Sequence, residues 1–236
     1  MITRAIILPL LLLGGASQAS IQLSQTDNQL VPDGSPTGLA KSFTISGQAG
    51  TVEDLTVNLD ITGTWNGDLY AYLSHGTGFA VLLNRVGSTP TDIYGYGDSG
   101  LNVTFSDNAA NGNIHYYQQV TTPATGAALT GTWAPDGRNV SPYTVTGLEP
   151  STATLSSFDG LNVNGPWTLF VADVSGGNLN YLTSWGLDIN TVAPVPEPAD
   201  FGALSGALLL AGSGWQLWRN KRTVEPKRPS PAALIS

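Results

Sequence analysis

The chain has 236 residues, no cysteine and a formal net charge of −8. The lack of cysteine excludes a disulfide framework, a thiol nucleophile and a cysteine-ligated zinc site. Between Ser20 and Asp200 there are only three basic residues against 16 acidic ones, a formal charge of −13. A segment this acidic has nothing with which to neutralise phosphates, so the composition argues against nucleic-acid binding.

The N-terminus has the three parts of a secretory signal. A short start with one positive charge, Arg4, precedes an apolar run over residues 5–15, and small residues follow at 16–19. This order predicts a signal peptide over residues 1–19 that is cleaved after Ala19, and therefore an exported protein. An N-terminal lead-in over residues 20–40 separates this signal from the first predicted domain.

The middle of the chain has the pattern of β-strands. Residues 55–61 alternate, with Leu55, Val57, Leu59 and Ile61 on one face. Further strands are predicted at 69–74, 79–84, 101–105, 167–173 and 179–189, the first two of these as a hairpin or as neighbouring strands. No apolar period of 3.6 residues is sustained over three turns. Residues 41–190 are therefore predicted to form an all-β domain, a jelly-roll-like antiparallel β-sandwich.

The C-terminus carries a second apolar segment. After a Pro-rich linker at residues 191–200, residues 201–218 contain no charge and would span about 27 Å as a helix. Basic side chains follow immediately at Arg219, Lys221 and Arg222. We expect a single C-terminal transmembrane helix over 201–218 and a basic cytoplasmic tail over 219–236.

The linker contains a VPEP box, and the order of box, apolar span and basic cluster resembles the bacterial PEP-CTERM sorting signal. The box is Val195, Pro196, Glu197 and Pro198. The resemblance implies processing by an exosortase, with transient anchoring in the inner membrane and then a place at the cell surface or outside the cell. It also implies an exopolysaccharide or another surface polymer as a partner. The chain departs from the family by continuing over residues 223–236.

The body of the chain has a second resemblance, to the proprotein-convertase P domain (P/Homo B). The motifs that carry it occur in the family's order: Gly-Asp-Leu at 67–69, Gly-Pro-Trp-Thr-Leu-Phe-Val-Ala-Asp at 165–173, and Leu-Thr-Ser-Trp-Gly-Leu at 182–187. The resemblance covers about residues 41–190 and implies a β-sandwich. Residues 90–143 depart from the family, because they are longer and richer in Gly and Asn than its usual loops.

The histidines of the body, His75 and His115, are the candidates for a catalytic base, and neither lies near a Gly-x-Ser-x-Gly nucleophile motif. No subtilisin-like domain occurs between the signal and the P-domain-like segment. We therefore expect that the chain is not an enzyme.

Asp residues at predicted strand ends and in loops are candidate calcium ligands, because Ca²⁺ takes oxygen ligands that turns readily supply. The candidates are Asp68 and Asp173 at strand ends, which we expect to approach each other, and Asp98 and Asp107 in the central loop. A structural calcium is one reading of these residues, and turn formation by Asp is the other.

Aromatic side chains in a Gly-rich loop give a candidate carbohydrate site at Tyr94 and Tyr96. Tyr70 and Tyr72 share a strand face and are expected to pack across strands instead. The leading prediction is a non-catalytic, exosortase-sorted surface or matrix protein with a P-domain-like module. Two alternatives stay open: a protease accessory module acting with a separate catalytic chain, and a carbohydrate-binding module.

Overall fold

A computed structural model describes residues 18–193. This part of the chain contains nine strands and three short 3₁₀ helices and no α-helix, which confirms the all-β prediction. The strands are β1 (Gln18–Leu30), β2 (Ser35–Ile45), β3 (Thr51–Thr62), β4 (Leu69–His75), β5 (Gly78–Asn84), β6 (Leu101–Phe105), β7 (Leu129–Trp133), β8 (Gly165–Asp173) and β9 (Tyr181–Val192). The 3₁₀ helices are η1 (Asn66–Asp68), η2 (Ile114–Gln119) and η3 (Leu155–Phe158).

The strands form two sheets whose pairings are nested. One sheet has the order β1-β9-β3-β6-β7 and the other the order β2-β8-β4-β5. The first strand pairs with the last, the second with the last but one, and β4 with β5 in the predicted hairpin. Strands that follow one another along the chain therefore mostly cross between the sheets, and the two layers enclose one core.

Two details differ from the sequence-based expectation. The pair β6–β7 is parallel, so the five-stranded sheet is mixed and not wholly antiparallel. Residues 20–40, expected to be a lead-in, form most of β1 and about half of β2, and they pair along β9 and β8. The predicted cleavage site after Ala19 falls within β1, where Ala19 pairs with Thr191. Cleavage there would leave 11 of the 13 residues of β1 in place.

The core is built from the alternating apolar positions of both sheets. In β3 the residues predicted to share a face (Leu55, Val57, Leu59 and Ile61) are all at most 1 % exposed. The largest buried side chains are three tryptophans, one on each of β7, β8 and β9. Truncating a buried Trp typically costs about 3–5 kcal/mol.

The outer face of the four-stranded sheet carries a row of half-buried aromatic rings. Tyr72 stacks on Phe170 with 4.8 Å between ring centroids, and it contacts Phe79 at 5.0 Å and Tyr70 at 5.9 Å. This confirms the prediction that Tyr70 and Tyr72 pack across strands.

The terminal predictions lie outside the described residues. They are residues 1–17 of the signal peptide, the box at Val195, Pro196, Glu197 and Pro198, the span at 201–218, and the basic cluster of Arg219, Lys221 and Arg222. Within residues 18–193 no helix has the length and apolar character needed to cross a membrane.

Candidate functional site

Three strand ends meet at one edge of the four-stranded sheet. The register pairs Leu69, the first residue of β4, with Asp173, the last residue of β8. It also pairs Tyr70 with Asn84, the last residue of β5. Because η1 directly precedes β4, Asp68 lies beside these ends, and the expected approach of Asp68 and Asp173 is observed.

A buried arginine side chain lies beside these carboxylates. Arg85, which follows β5 directly, is 8 % exposed and has a positive φ of 50°. Its Nε donates to the carbonyl of Gly67 (3.0 Å) and its Nη2 donates to the hydroxyl of Ser175 (3.0 Å). The Nη2 atom also lies 3.7 Å from Oδ1 of Asp68. A left-handed backbone at a non-glycine residue is strained, and such residues concentrate at functional sites.

The carboxylates of this cluster are perturbed by burial. Burial raises the pKa of Asp68 to about 6; the hydrogen bond with Ser175 and the charge of Arg85 lower it, while Asp173 adds to the rise. Burial likewise raises the pKa of Asp173, and a hydrogen bond from Asn180 (2.8 Å) opposes that rise. At 3.7 Å Arg85 is too distant to donate a hydrogen bond to Asp68, so desolvation outweighs the ion pair.

The other two candidate calcium ligands lie elsewhere. Asp98 accepts a hydrogen bond from the hydroxyl of Tyr117 (2.8 Å). Asp107 accepts hydrogen bonds from the backbone N–H groups of Leu155 (3.0 Å) and Ser156 (2.7 Å) at the start of η3. Asp107 therefore has the capping role that Asp commonly plays at helix starts.

The remaining pair, Asp68 and Asp173, already has protein partners. Arg85 already supplies positive charge beside it, and donors from Ser175 and Asn180 occupy its oxygens. Across residues 18–193, no cluster of three or more His, Cys, Asp or Glu side chains could hold a metal.

A cavity of about 260 Å³ opens beside this cluster. Its lining includes Arg85 and the three threonines Thr89, Thr144 and Thr146. It also includes two large exposed side chains, Ile93 (60 % exposed) and Tyr143 (58 % exposed). We call this cavity the Arg85 pocket. Its lining contains no carboxylate, although the body of the protein is strongly acidic.

A buried polar network holds two walls of the Arg85 pocket. His115 Nδ1 lies 2.7 Å from Oδ2 of Asp136, and its Nε2 lies 3.0 Å from the carbonyl of Ser88, next to pocket residue Thr89. Arg138 donates from Nη1 to Oδ1 of Asp136 (3.1 Å) and from Nε and Nη2 to the carbonyl of Gly147 (3.1 and 3.0 Å), next to Thr146. Since His115, Asp136 and Arg138 are at most 4 % exposed, the network fixes loop backbone and does not face solvent.

Neither histidine is placed to act as a catalytic base on a hydroxyl. The ring nitrogens of His75 lie 2.9 Å from the carbonyl of Pro166 and 2.7 Å from that of Asn162, and the ring stacks on Trp167 at 3.9 Å. His115 is fully buried, and both of its nitrogens lie against the acceptors named above. A general base needs a free nitrogen within reach of the proton it takes.

The two candidate carbohydrate residues have different surroundings. Tyr94 is 61 % exposed, and its carbonyl accepts a hydrogen bond from Nε1 of Trp65 (3.1 Å). Tyr96 packs edge-on against Tyr117 (4.7 Å), and its ring covers the backbone of Gly87. Burial raises the pKa of Tyr96. Tyr94 can therefore contact a ligand, whereas Tyr96 mainly supports the loop.

The sequence did not predict the importance of Arg85, Tyr143, or the network of His115, Asp136 and Arg138. One signal was available for two of them: Arg85 and Arg138 are two of only three basic residues in an acidic body. Tyr143 lies in an irregular loop, where no periodic pattern marks it.

No family model and no curated protein matches this chain. Among solved structures, the serine protease of Aeromonas sobria in complex with its chaperone ORF2 is similar with 16 % identity and a TM-score of 0.42. A second structure, of the serine protease of Aeromonas sobria, gives 15 % identity and a TM-score of 0.38. The matches cover 77 % and 76 % of this chain but 28 % of the matched chain in each case. Values this low support no conclusion about the function of this chain.

Proposed function

We propose that this chain is an exported, non-catalytic binding module with a jelly-roll β-sandwich, sorted to the cell surface or the surrounding matrix by an exosortase. The proposal combines the signal at residues 1–19, the sorting signal at 195–222 and the chemistry of the body. The nested pairing of strands in two sheets supports the jelly-roll assignment.

The observation that carries the non-catalytic part is the placement of the two histidines. Both rings are held between acceptor oxygens, and His115 is used to fix the backbone at Ser88. The perturbed carboxylate Asp68 is 3 % exposed and lies beside Arg85 rather than across a groove from a second free acid. These are the contacts of structural groups that support a binding surface.

Sorting is tested by changing the box that an exosortase would recognise. The double substitution Pro196→Ala with Glu197→Ala should leave export intact but retain the protein in the inner-membrane fraction of the native host. The matched control, Pro229→Ala with Pro231→Ala, lies beyond the basic cluster and should leave sorting unchanged. Equal surface or medium levels for the box variant and the unchanged protein would refute exosortase sorting.

Catalysis is tested with the protein itself. The account expects no release of product from peptide libraries or from glycosides at any pH between about 5 and 8. Turnover by the unchanged protein that a correctly folded His115→Gln variant lacks would refute the non-catalytic assignment.

A second candidate function is accessory support of a separate protease chain, which the P-domain-like motifs favour. Those motifs lie at the start of β4, in β8 and within β9. Co-purification with a secreted subtilisin-like protease, together with faster inactivation of that protease when this chain is deleted, would support the accessory function over the leading proposal.

A further inference from the structure

We infer that the Arg85 pocket binds a neutral saccharide unit. This inference rests on the proposed function, since it names the ligand class of a non-catalytic surface module. It replaces the candidate pair Tyr94 and Tyr96 with a different set of contacts, in which Tyr143 and Ile93 line the pocket.

The first observation is a fixed hydrogen-bond donor without a protein partner. Arg85 lines the pocket, and its Nε and Nη2 are held by Gly67 and Ser175. Within residues 18–193 its Nη1 donates to no protein acceptor, and it is not among the fully buried unpaired atoms, so it keeps contact with solvent. A guanidinium held at two nitrogens presents the third in a defined direction, where the oxygen of a ligand can accept from it.

The second observation is the mixture of apolar and hydroxyl groups around this donor. Tyr143 and Ile93 line the pocket and are both more than half exposed. Thr89, Thr144 and Thr146 add hydroxyl oxygens; those of Thr144 and Thr146 donate to Ser141 and Glu149, which leaves their oxygens to accept from a ligand. A sugar ring has an apolar C–H face that packs on aromatic and aliphatic side chains, and its rim of hydroxyls both donates and accepts hydrogen bonds. The volume of about 260 Å³ is near the lower end of the range for small-molecule sites, which suits one ring better than a longer ligand.

The charges favour a neutral ligand over an acidic one. Asp68 and Asp173 lie beside Arg85 and compensate its charge. An added carboxylate would meet a guanidinium that is already neutralised, within residues 20–193, which carry 14 acidic side chains against three basic ones. A hydroxyl or ring oxygen needs only the donor, and it is not repelled by the surrounding acidic surface.

The pocket is also held in shape without a ligand. The carbonyls of Ser88 and Gly147, one on each wall, are fixed by His115 and Arg138. Gly67 approaches the backbone of Tyr94 and Gly95 so closely that a Cβ there would collide with both. Preorganised walls lower the entropy that binding must offset.

The experiment titrates the ¹⁵N-labelled, surface-released protein with four oligosaccharide probes and measures the backbone amide chemical shifts by NMR. Cellopentaose, maltopentaose and mannopentaose are the neutral sugars, and a galacturonate pentamer is the acidic one. We expect saturable shifts at Ile93, Thr144 and Thr146 with at least one neutral sugar. Chromatography of the sugar after each titration should show no cleavage.

Matched tyrosine variants locate the site. Tyr143→Ala should weaken binding at least about tenfold, because it removes the exposed ring. Tyr181→Ala is the control, since Tyr181 is also an exposed tyrosine (40 %) but lies on β9 and does not line the pocket. It should bind within about twofold of the unchanged protein.

Three results would overturn the inference: no saturable shift with any neutral sugar, tighter binding of the galacturonate than of every neutral sugar, or equal binding by the unchanged protein and Tyr143→Ala. If the sugar is cleaved and its binding still depends on Tyr143, the result would contradict the non-catalytic function but leave the saccharide site in place. Failure of binding with normal sorting would leave the proposed function intact and remove only its ligand.

Discussion

Arg138 offers the sharpest test of how the loops beside β5 are held. Its guanidinium donates to Asp136, to the carbonyl of Gly147 and to the hydroxyl of Tyr116 (2.8 Å), and the residue is 4 % exposed. Arg138→Met keeps much of the side-chain length but removes every one of these donors. It also leaves the carboxylate of Asp136, which is fully buried, with only His115 as an ionisable partner.

The magnitude follows from burial. Removing one partner of a buried ion pair typically costs about 3–5 kcal/mol, because the other charge is left uncompensated. An exposed pair costs only about 0–1 kcal/mol. For a domain of this size the larger loss corresponds to a fall in the melting temperature of roughly 6–20 °C.

Urea unfolding followed by tryptophan fluorescence measures the effect, since three of the body's four tryptophans are fully or almost fully buried. The double variant Arg138→Met with Asp136→Asn should lose less stability than the sum of the two single variants, because the orphaned charge is gone. A loss below about 1 kcal/mol for Arg138→Met would contradict the reasoning and place the pair with surface salt bridges.

Three further predictions concern the cluster around Asp68. The pKa of Asp68 is about 6 in the folded protein against an ordinary 3.8, so between these values the unfolded chain binds fewer protons, and stability falls as pH rises from about 4 to 6. In urea unfolding at a series of pH values, Asp68→Asn should flatten that fall. An unchanged dependence of stability on pH would contradict the reasoning. Because Arg85, Ser175 and Asn180 already supply partners for Asp68 and Asp173, we expect a chelator to move the melting midpoint by less than about 1 °C. A clear drop that added Ca²⁺ reverses would contradict this. Gly67→Ala should destabilise by more than about 2 kcal/mol through collision with the backbone of Tyr94 and Gly95, whereas Gly112→Ala, which has open space and a φ of 79°, should cost only about 1 kcal/mol.

The fold was predictable where one strand face is buried. In β3 the apolar residues alternate and the alternate positions lie in the core, and β4, β5, β8 and β9 also begin and end within a few residues of their predicted positions. β1 lies at the edge of its sheet, and its burial alternates over residues 21–27, but two of the four half-buried residues are the polar Gln25 and Asp27. The apolar alternation in its sequence is therefore too short to mark a strand. The parallel pairing of β6 with β7 could not be predicted either, because it depends on how residues 106–128 return the chain to the sheet.

The site was predictable only in part, for a related reason. Asp68 and Asp173 were predicted from their places at strand ends, and the pairing of β4 with β8 brings them together. Tyr143 lies in an irregular loop, where its backbone N–H donates to the hydroxyl of Ser141, and no periodic pattern marks it. Tyr94 and Tyr96 looked equivalent in the sequence, yet the backbone of Gly87 receives the ring of Tyr96 and leaves Tyr94 exposed.

The most direct test of the central claim, an exported and exosortase-sorted module, is the intact mass of the protein recovered from the surface or medium of its native host. The account predicts a species that begins at Ser20 and ends near Pro198, so that both terminal signals are absent and the whole of residues 20–193 is retained. A recovered protein that still carries residues 201–236 would contradict exosortase processing, and one that still begins at Met1 would contradict export through a cleaved signal.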